Sequence, residues 1–228
     1  MTILRERDSI NNTKIQAWLG IYCSGGNIYM DDIGECGITT DLAGQINCHF
    51  IFNALNTLKY SVITGKPDTC RLIDDIAAYM QYRIRAVCGF EMVLLGEEIR
   101  NMKSYINLEQ ARFSYVHAEY NLEDTDFTLP SMSVIFLVEN AIHHGLLAKG
   151  DGGKVHIKSY RDNLFHYAEV CDNGTGIGEY KGKYPESSNN GIGNLAALAM
   201  RIESMAGGSL LVESVPGEGT RAVIKIPV

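Results

Sequence analysis

The chain has 228 residues, a hydrophobic content of 46% and a charged content of 21%, so it can bury a core and reads as a globular protein of one or two domains. A formal net charge of -7 with no run of Lys or Arg excludes a nucleic-acid surface, and no apolar stretch approaches the roughly 18 residues that a membrane span needs. Cys23, Cys36, Cys48, Cys70, Cys88 and Cys171 form no C-x-x-C pair, so neither a zinc site nor a disulfide framework is expected, and the protein reads as cytoplasmic.

Residues 1–38 carry the weakest pattern. Arg5 to Leu19 reads as a short helix, and Ile21-Tyr22-Cys23 and Ile28-Tyr29-Met30 flank a Ser24-Gly25-Gly26-Asn27 turn, as in a hairpin. This segment is expected to be a linker or the remnant of a sensor. From Thr39 to about Ile63 a helix is expected, with Thr39, Thr40 and Asp41 available to cap it and Gly65-Lys66-Pro67 to stop it. Gln45, His49, Asn53 and Asn56 recur at spacings that place them on one narrow polar stripe, while most of the circumference is apolar. Taken alone, such a stripe is what any solvated helix face looks like. Asp68 then heads a second helix with Leu72, Ile73, Ile76, Met80 and Ile84 at helical spacing, ended by Gly89. Both apolar faces are too wide for one hairpin to bury. Two copies would make a four-helix bundle, so a homodimer is expected.

A third helix is expected over Glu97 to Phe113, a strand over His117 to Leu122, and after Pro130 a helix over Ser131 to Leu147. Strands Lys154–Tyr160 and Leu164–Cys171, a helix from Leu195 to Met205, and strands Ser209–Ser214 and Thr220–Pro227 complete an α+β pattern with a mixed sheet. The domain division read from this order is 1–38, a helical hairpin over 39–95, and an α/β sandwich over 96–228.

Three polar pieces interrupt the second half. In Leu137-Val138-Glu139-Asn140-Ala141-Ile142-His143-His144-Gly145, an apolar helix turns polar, which costs stability unless those groups meet partners or a ligand. Asn140 offers a neutral oxygen of the kind Mg²⁺ accepts. Asp172-Asn173-Gly174-Thr175-Gly176-Ile177-Gly178 follows a strand, where a carboxylate can accept a hydrogen bond from an exocyclic amine and glycines let backbone approach a flat ring. Its spacing fits neither a P-loop nor a Rossmann fingerprint. Gly191-Ile192-Gly193-Asn194, after a polar stretch from Glu179 to Asn190, suits a helix start that wraps phosphates, and Gly219-Thr220 adds a hydroxyl at the pocket base.

The order E-N-A-x-x-H, D-x-G-x-G, G-x-G and G-T resembles the ATPase superfamily shared by type II topoisomerases, sensor histidine kinases and a mismatch-repair protein, with its Bergerat fold. QINCHFIFNALN resembles the phosphoacceptor helix of the sensor histidine kinase subgroup whose usual form is Q-I-N-P-H-F-L-F-N-x-L-N. Tyr105-Ile106-Asn107-Leu108-Glu109-Gln110-Ala111-Arg112-Phe113 and Pro216-Gly217-Glu218-Gly219-Thr220 are similar to further stretches of that subgroup. The resemblance implies a dimerising hairpin followed by a Bergerat-type α/β sandwich. It implies ATP and Mg²⁺ as cofactors, His49 as the phosphorylated residue, Asn140 as the Mg²⁺ ligand and Asp172 as the partner of the adenine amine. Gly174, Gly176, Gly191, Gly193 and Thr220 would line the nucleotide, with Glu139, His143, His144, Ile177 and Ile192 beside them, and Asn53, one turn after His49, is placed to orient the ring or a water. A response-regulator receiver domain would take the phosphoryl group, and the chain could be the cytoplasmic part of a membrane-bound sensor. Cys48, His143 and Asn194 depart from the subgroup's usual Pro, Lys and Leu. Phe136 stands where the topoisomerase-like enzymes carry the glutamate that activates water, so efficient ATP hydrolysis is not expected. A regulatory ATP-binding scaffold without kinase activity remains a rival reading; a protein-serine kinase of the anti-sigma type is disfavoured by the His-bearing hairpin.

Overall fold

The computed structural model describes residues 21–24, 27–30, 48–89, 91–178, 180–182 and 192–228, with backbone alone at 21–24, 27–30, 48–49, 87–88, 180–182 and 192–194. The chain divides into two compact units, Met1–Gly44 and Gln45–Val228. In the first, β1 (Ile21–Ser24) and β2 (Asn27–Met30) pair antiparallel with Ile21 opposite Met30, as the turn signal led one to expect. The helix expected over Arg5 to Leu19 lies outside the described residues.

The second unit begins with α1 (Cys48–Ile63) and α2 (Thr69–Cys88), which match the expected hairpin; the residues before Cys48 that were expected to open α1 lie outside the described part. Asp68 precedes α2 as expected, although its side chain makes no capping hydrogen bond. Ser61 Oγ meets Thr69 Oγ1 at 2.7 Å across the turn and so joins the two helices locally. Phe50, Ala54, Leu72, Tyr79, Tyr82 and Ala86 are buried, whereas Phe52, Leu55, Val62, Ile63 and Ile73 stay exposed. Among the described residues no helix is long and apolar enough to cross a membrane.

Next come β3 (Met92–Leu94), α3 (Leu95–Arg112), β4 (Val116–Leu122), β5 (Thr128–Pro130) and α4 (Ser133–Asn140). A single helix was expected through Leu147. Instead α4 gives way to a π-helical turn, Ala141–Leu146, in which the Leu147 N–H reaches the carbonyl of Ile142, before a last turn at Leu147–Lys149. One residue too many is accommodated there, which swings the following side chains to a new face. The strands β6 (Gly153–Arg161), β7 (Phe165–Asp172) and β8 (Tyr180–Gly182), helix α5 (Ile192–Ala206), and strands β9 (Ser209–Val215) and β10 (Gly219–Pro227) complete the unit.

Six strands form one mixed sheet in the order β4-β6-β7-β10-β9-β8; β4 and β6 are parallel and the other neighbours antiparallel. Alternation puts Val155, Ile157, Ala168, Val170, Ala222, Ile224, Leu210 and Val212 on the face covered by helices. They meet Val134, Ile135, Val138 and Ile142 of the α4 region and Leu198, Ala199 and Ile202 of α5 in one core. This is an α+β protein, a helical hairpin followed by an α/β sandwich with a mixed sheet, as expected.

The start of α4 is held by a buried carboxyl group. Glu98 of α3 is fully buried, and its Oε1 accepts hydrogen bonds from the Val134 and Ile135 N–H groups at 2.5 and 3.1 Å. These donors belong to the first turn of α4 and have no intrahelical acceptor, so the carboxylate caps the helix from a distance. The Tyr82 hydroxyl of α2 donates to Glu98 Oε2 at 3.2 Å. Burial raises the Glu98 carboxyl from its ordinary 4.5 to about 7, against the lowering effect of those donors and of the Arg201 charge. In the unfolded chain Glu98 ionises near 4.5; in the folded chain it holds its proton up to about 7. The folded state therefore binds the extra proton between those values, and stability falls as pH rises through that window. Glu98→Gln is expected to flatten the decline of the melting temperature between about pH 5 and pH 7, and Glu98→Ala, which strands two buried N–H groups, to cost about 2–4 kcal/mol in denaturant unfolding.

Candidate functional site

A cavity of about 270 Å³ lies between the α4 region and the sheet. Leu137, Asn140, Ala141, His144 and Gly145 line it from the helical side; Val170 and Asp172 of β7, Val212 of β9, and Thr220 and Ala222 of β10 form its floor. Gly176, Ile177 and Leu195 complete the wall. Most of that surface is apolar, with a few converging polar groups, as expected of a small-molecule site.

Asp172 ends β7, and Oδ1 accepts the Gly174 N–H at 2.9 Å in an Asx turn. Among the described residues no salt bridge reaches it. Burial raises its carboxyl, while the N–H groups of Gly174 and Thr220 pull the other way. Its surroundings are built from glycine because backbone passes too close for a side chain. A Cβ on Gly145 would stand 2.6 Å from Asp172 Oδ1, and one on Gly174 would stand 2.2 Å from the Gly145 carbonyl carbon. Gly219, at φ +111, brings its Cα against the Asp172 carbonyl, where a Cβ would approach to 2.0 Å.

The loop after β7 is fastened at both ends. Thr175 N–H donates to the Gly145 carbonyl at 3.2 Å and Thr175 Oγ1 to the His144 carbonyl at 3.1 Å, which ties the loop to the π turn. The Gly217 N–H donates to the Thr175 carbonyl at 2.8 Å. Ser214 Oγ accepts the Ile177 N–H at 2.9 Å and lies 3.1 Å from Thr220 Oγ1. Ser214, Gly145 and, apart from Ile177, the apolar lining were not singled out by sequence reasoning. Gly145, directly after His143-His144, was the readable one, because glycine so near a helical polar cluster signals close backbone approach.

Asn140 reaches the cavity, and its Nδ2 is buried without a hydrogen-bond partner. An unpaired buried N–H₂ donor is costly unless water or a ligand meets it. Asn140, His144, Asp172, Gly176, Ile177 and Thr220 are thus brought together, with Gly174 packed behind them. Glu139 and His143 are turned elsewhere and do not line the cavity. Glu139 Oε1 is 2.5 Å from Arg83 Nη1 of α2, and His143 Nε2 is 3.8 Å from buried Glu109. Burial pushes the Glu109 carboxyl up, opposed by Arg112, whose Nη1 lies 2.8 Å from Oε1. Ile192 and Gly193 open α5, and Gly191 lies outside the described residues. His49 falls in the first turn of α1 with only its backbone described, and Asn53 is half-buried one turn on.

Residues 39–116 match the family described as Histidine kinase, and residues 133–228 the family described as Histidine kinase-, DNA gyrase B-, and HSP90-like ATPase. The chain thus carries, in order, one segment matching each of these two families. Sensor protein LytS of Bacillus subtilis is 30% identical over 197 residues, covering 82% of this chain and 33% of LytS. Sensor histidine kinase BtsS of Escherichia coli is 29% identical over 190 residues, covering 82% of this chain and 32% of BtsS. The chain spans about a third of the length of these curated relatives. Among solved structures, the histidine kinase domain of the Erythrobacter litoralis blue-light activated histidine kinase is 20% identical with a TM-score of 0.47, covering 82% of this chain and 89% of that one.

The glycine contacts make a direct prediction. Gly145→Ala forces the Asp172 carboxylate to rotate away from Gly174, and should weaken a fluorescent ATP analogue by about tenfold or more in equilibrium titration. Gly174→Ala drives backbone from backbone and should also destabilise the domain, by about 2 kcal/mol or more in denaturant unfolding.

Proposed function

We propose that this chain is the kinase core of a two-component sensor, which phosphorylates its own His49 from ATP and passes the phosphoryl group to an aspartate of a response-regulator receiver domain. The observation that carries the reading is the pairing, in one apolar cavity, of the Asp172 carboxylate with the unpartnered Asn140 amide. A carboxylate held only by backbone N–H groups keeps acceptor capacity for an exocyclic amine, which suits adenine. Asn140, which lines the cavity directly before the π turn, is the residue that would hold Mg²⁺ by its side-chain oxygen. When bound, Mg²⁺ would offset charge on the phosphates.

The neutral imidazole of His49 attacks the γ-phosphorus; an N–P bond forms as the bond from phosphorus to the β,γ-bridging oxygen breaks, and ADP leaves. Asn53, one helical turn further on, would orient the ring. The nucleotide contacts we propose are Asn140, His144, Asp172, Gly174, Gly176, Ile177, Gly191, Ile192, Gly193 and Thr220. Glu139 and His143, with protein partners of their own, are left out of that set. Phe136 in place of an activating glutamate supports transfer to histidine over hydrolysis. The proposed division is a linker or sensor remnant to 38, the phosphotransfer hairpin over 39–95 and the ATP-binding domain from 96 onward, working in the cytoplasm as part of a longer sensor. The exposed Phe52, Leu55, Val62, Ile63 and Ile73 support a homodimer through the hairpin.

Incubation with Mg²⁺ and γ-labelled ATP tests this. Acid-labile, alkali-stable label on the wild type, lost in His49→Ala and reduced by about 100-fold or more in Asn140→Ala, is expected. ATP binding with no label would favour the regulatory scaffold instead.

A further inference from the structure

Helix α2 contributes nothing to the cavity lining, yet it grips α4 at both ends. At the start, Tyr82 donates to Glu98, the residue that caps the first turn. At the end, Arg83 Nη1 lies 2.5 Å from Glu139 Oε1 and 2.6 Å from the Tyr79 hydroxyl, and that hydroxyl donates to the same glutamate oxygen. The ion pair is well shielded, with side chains 16% and 19% exposed. Glu139 directly precedes Asn140 in the chain. Tyr79 has a second role through its ring, which packs 4.7 Å from Phe50 and 5.3 Å from Tyr105. Phe50 directly follows His49. One side chain therefore touches the neighbour of the proposed phosphoacceptor with its ring and the neighbour of the proposed metal ligand with its hydroxyl.

A shielded ion pair is a poor adhesive, because desolvation consumes most of the attraction and an apolar pair of equal volume would hold two helices as well. What the charged set adds is register. A shift of α2 by one turn would strand Glu139 without its cation and Tyr79 without its acceptor, and unpaired buried charge is costly.

We propose that Tyr79 and Arg83 are positioning residues for phosphoryl transfer: from α2 they fix, through Glu139, the turn that carries Asn140 and, through Phe50, the turn that carries His49, so that acceptor and nucleotide helices share one register. The proposal rests on the kinase reading above. It assigns to α2 a role that neither the nucleotide contacts nor the acceptor itself requires.

The test uses the full chain with Tyr79→Phe, which keeps the ring and loses the hydroxyl, Arg83→Met, which keeps the stem and loses the charge, and the exchanged pair Arg83→Glu with Glu139→Arg. Single-turnover autophosphorylation, affinity for Mg-ATP and amide hydrogen exchange over 133–146 are measured on each. In both single variants the phosphorylation rate should fall about tenfold or more while ATP affinity stays within about twofold, since misplacement costs rate before it costs binding. Exchange over 133–146 should quicken, and the exchanged pair should recover part of the rate. Unchanged rates in both single variants would overturn the proposal, leaving the contact as simple packing. Rate and ATP affinity lost together, with no recovery in the exchanged pair, would overturn it in favour of a purely structural role. A wild type that binds ATP but takes no label would instead refute the kinase reading, and the positioning role with it.

Discussion

The close approach of three backbone segments around Asp172 is the constraint on which the site depends. Gly145 on the π turn, Gly174 on the loop and Gly219 at the head of β10 each stand where a Cβ would collide with Asp172 or with one another. Their absence of side chains lets the carboxylate sit at the base of an apolar cavity with its hydrogen bonds limited to backbone donors. Among the described residues no salt bridge reaches it, whereas cations gather on the opposite face of the sheet. There Arg221 and Lys158 pair with Glu169 at 2.6 and 3.3 Å. Burial of Glu169 favours its neutral form, but hydrogen bonds from Arg221 and Cys171 and the nearby positive charges outweigh it and hold the carboxyl at about 2. Two carboxylates in one strand region thus meet opposite electrostatic environments, Glu169 held by cations and Asp172 by backbone N–H groups alone.

The helix opposite that floor is short, and its short length is possible because its ends are held from outside. Glu98 satisfies the first N–H groups of α4, and Glu139 ties its last turn to Arg83. The π turn then redirects Ile142 and Leu146 into the core while leaving His144 at the cavity and His143 toward Glu109. Successive side chains of a helix point about 100° apart, so His143 and His144 meet different neighbours, while Asn140 and His144, four residues apart, share the cavity face. Glu98, buried on α3, and Glu139, half-buried on α4, thus each tie the helical hairpin to the sandwich.

The main elements were legible because each carries a local signal. Apolar spacing marked α1, α2 and α3; alternation marked β6, β7, β9 and β10; and the glycine-bounded motifs located the cavity. What stayed hidden depends on partners distant in the chain. Glu139 reads as a ligand residue from its position beside Asn140, and Arg83 lies 56 residues away with nothing local to link them. Glu98 and Ser214 are likewise ordinary in sequence and acquire their roles from contacts with the first turn of α4 and with Ile177. The short strands β3, β5 and β8 are too brief for a period of two to show. The π turn is invisible to a pattern that assumes 3.6 residues per turn, since one inserted residue leaves the apolar spacing readable on either side.

The central claim is that Asp172 selects an adenine amine, and comparative titration of ATP and GTP, each with Mg²⁺, tests it most directly. The adenine amine is a donor where guanine carries an acceptor, so a carboxylate at this position should favour ATP by about 100-fold or more. The account predicts that preference in the wild type and its collapse in Asp172→Asn, whose amide can also donate. Equal affinity for the two nucleotides in the wild type would contradict it.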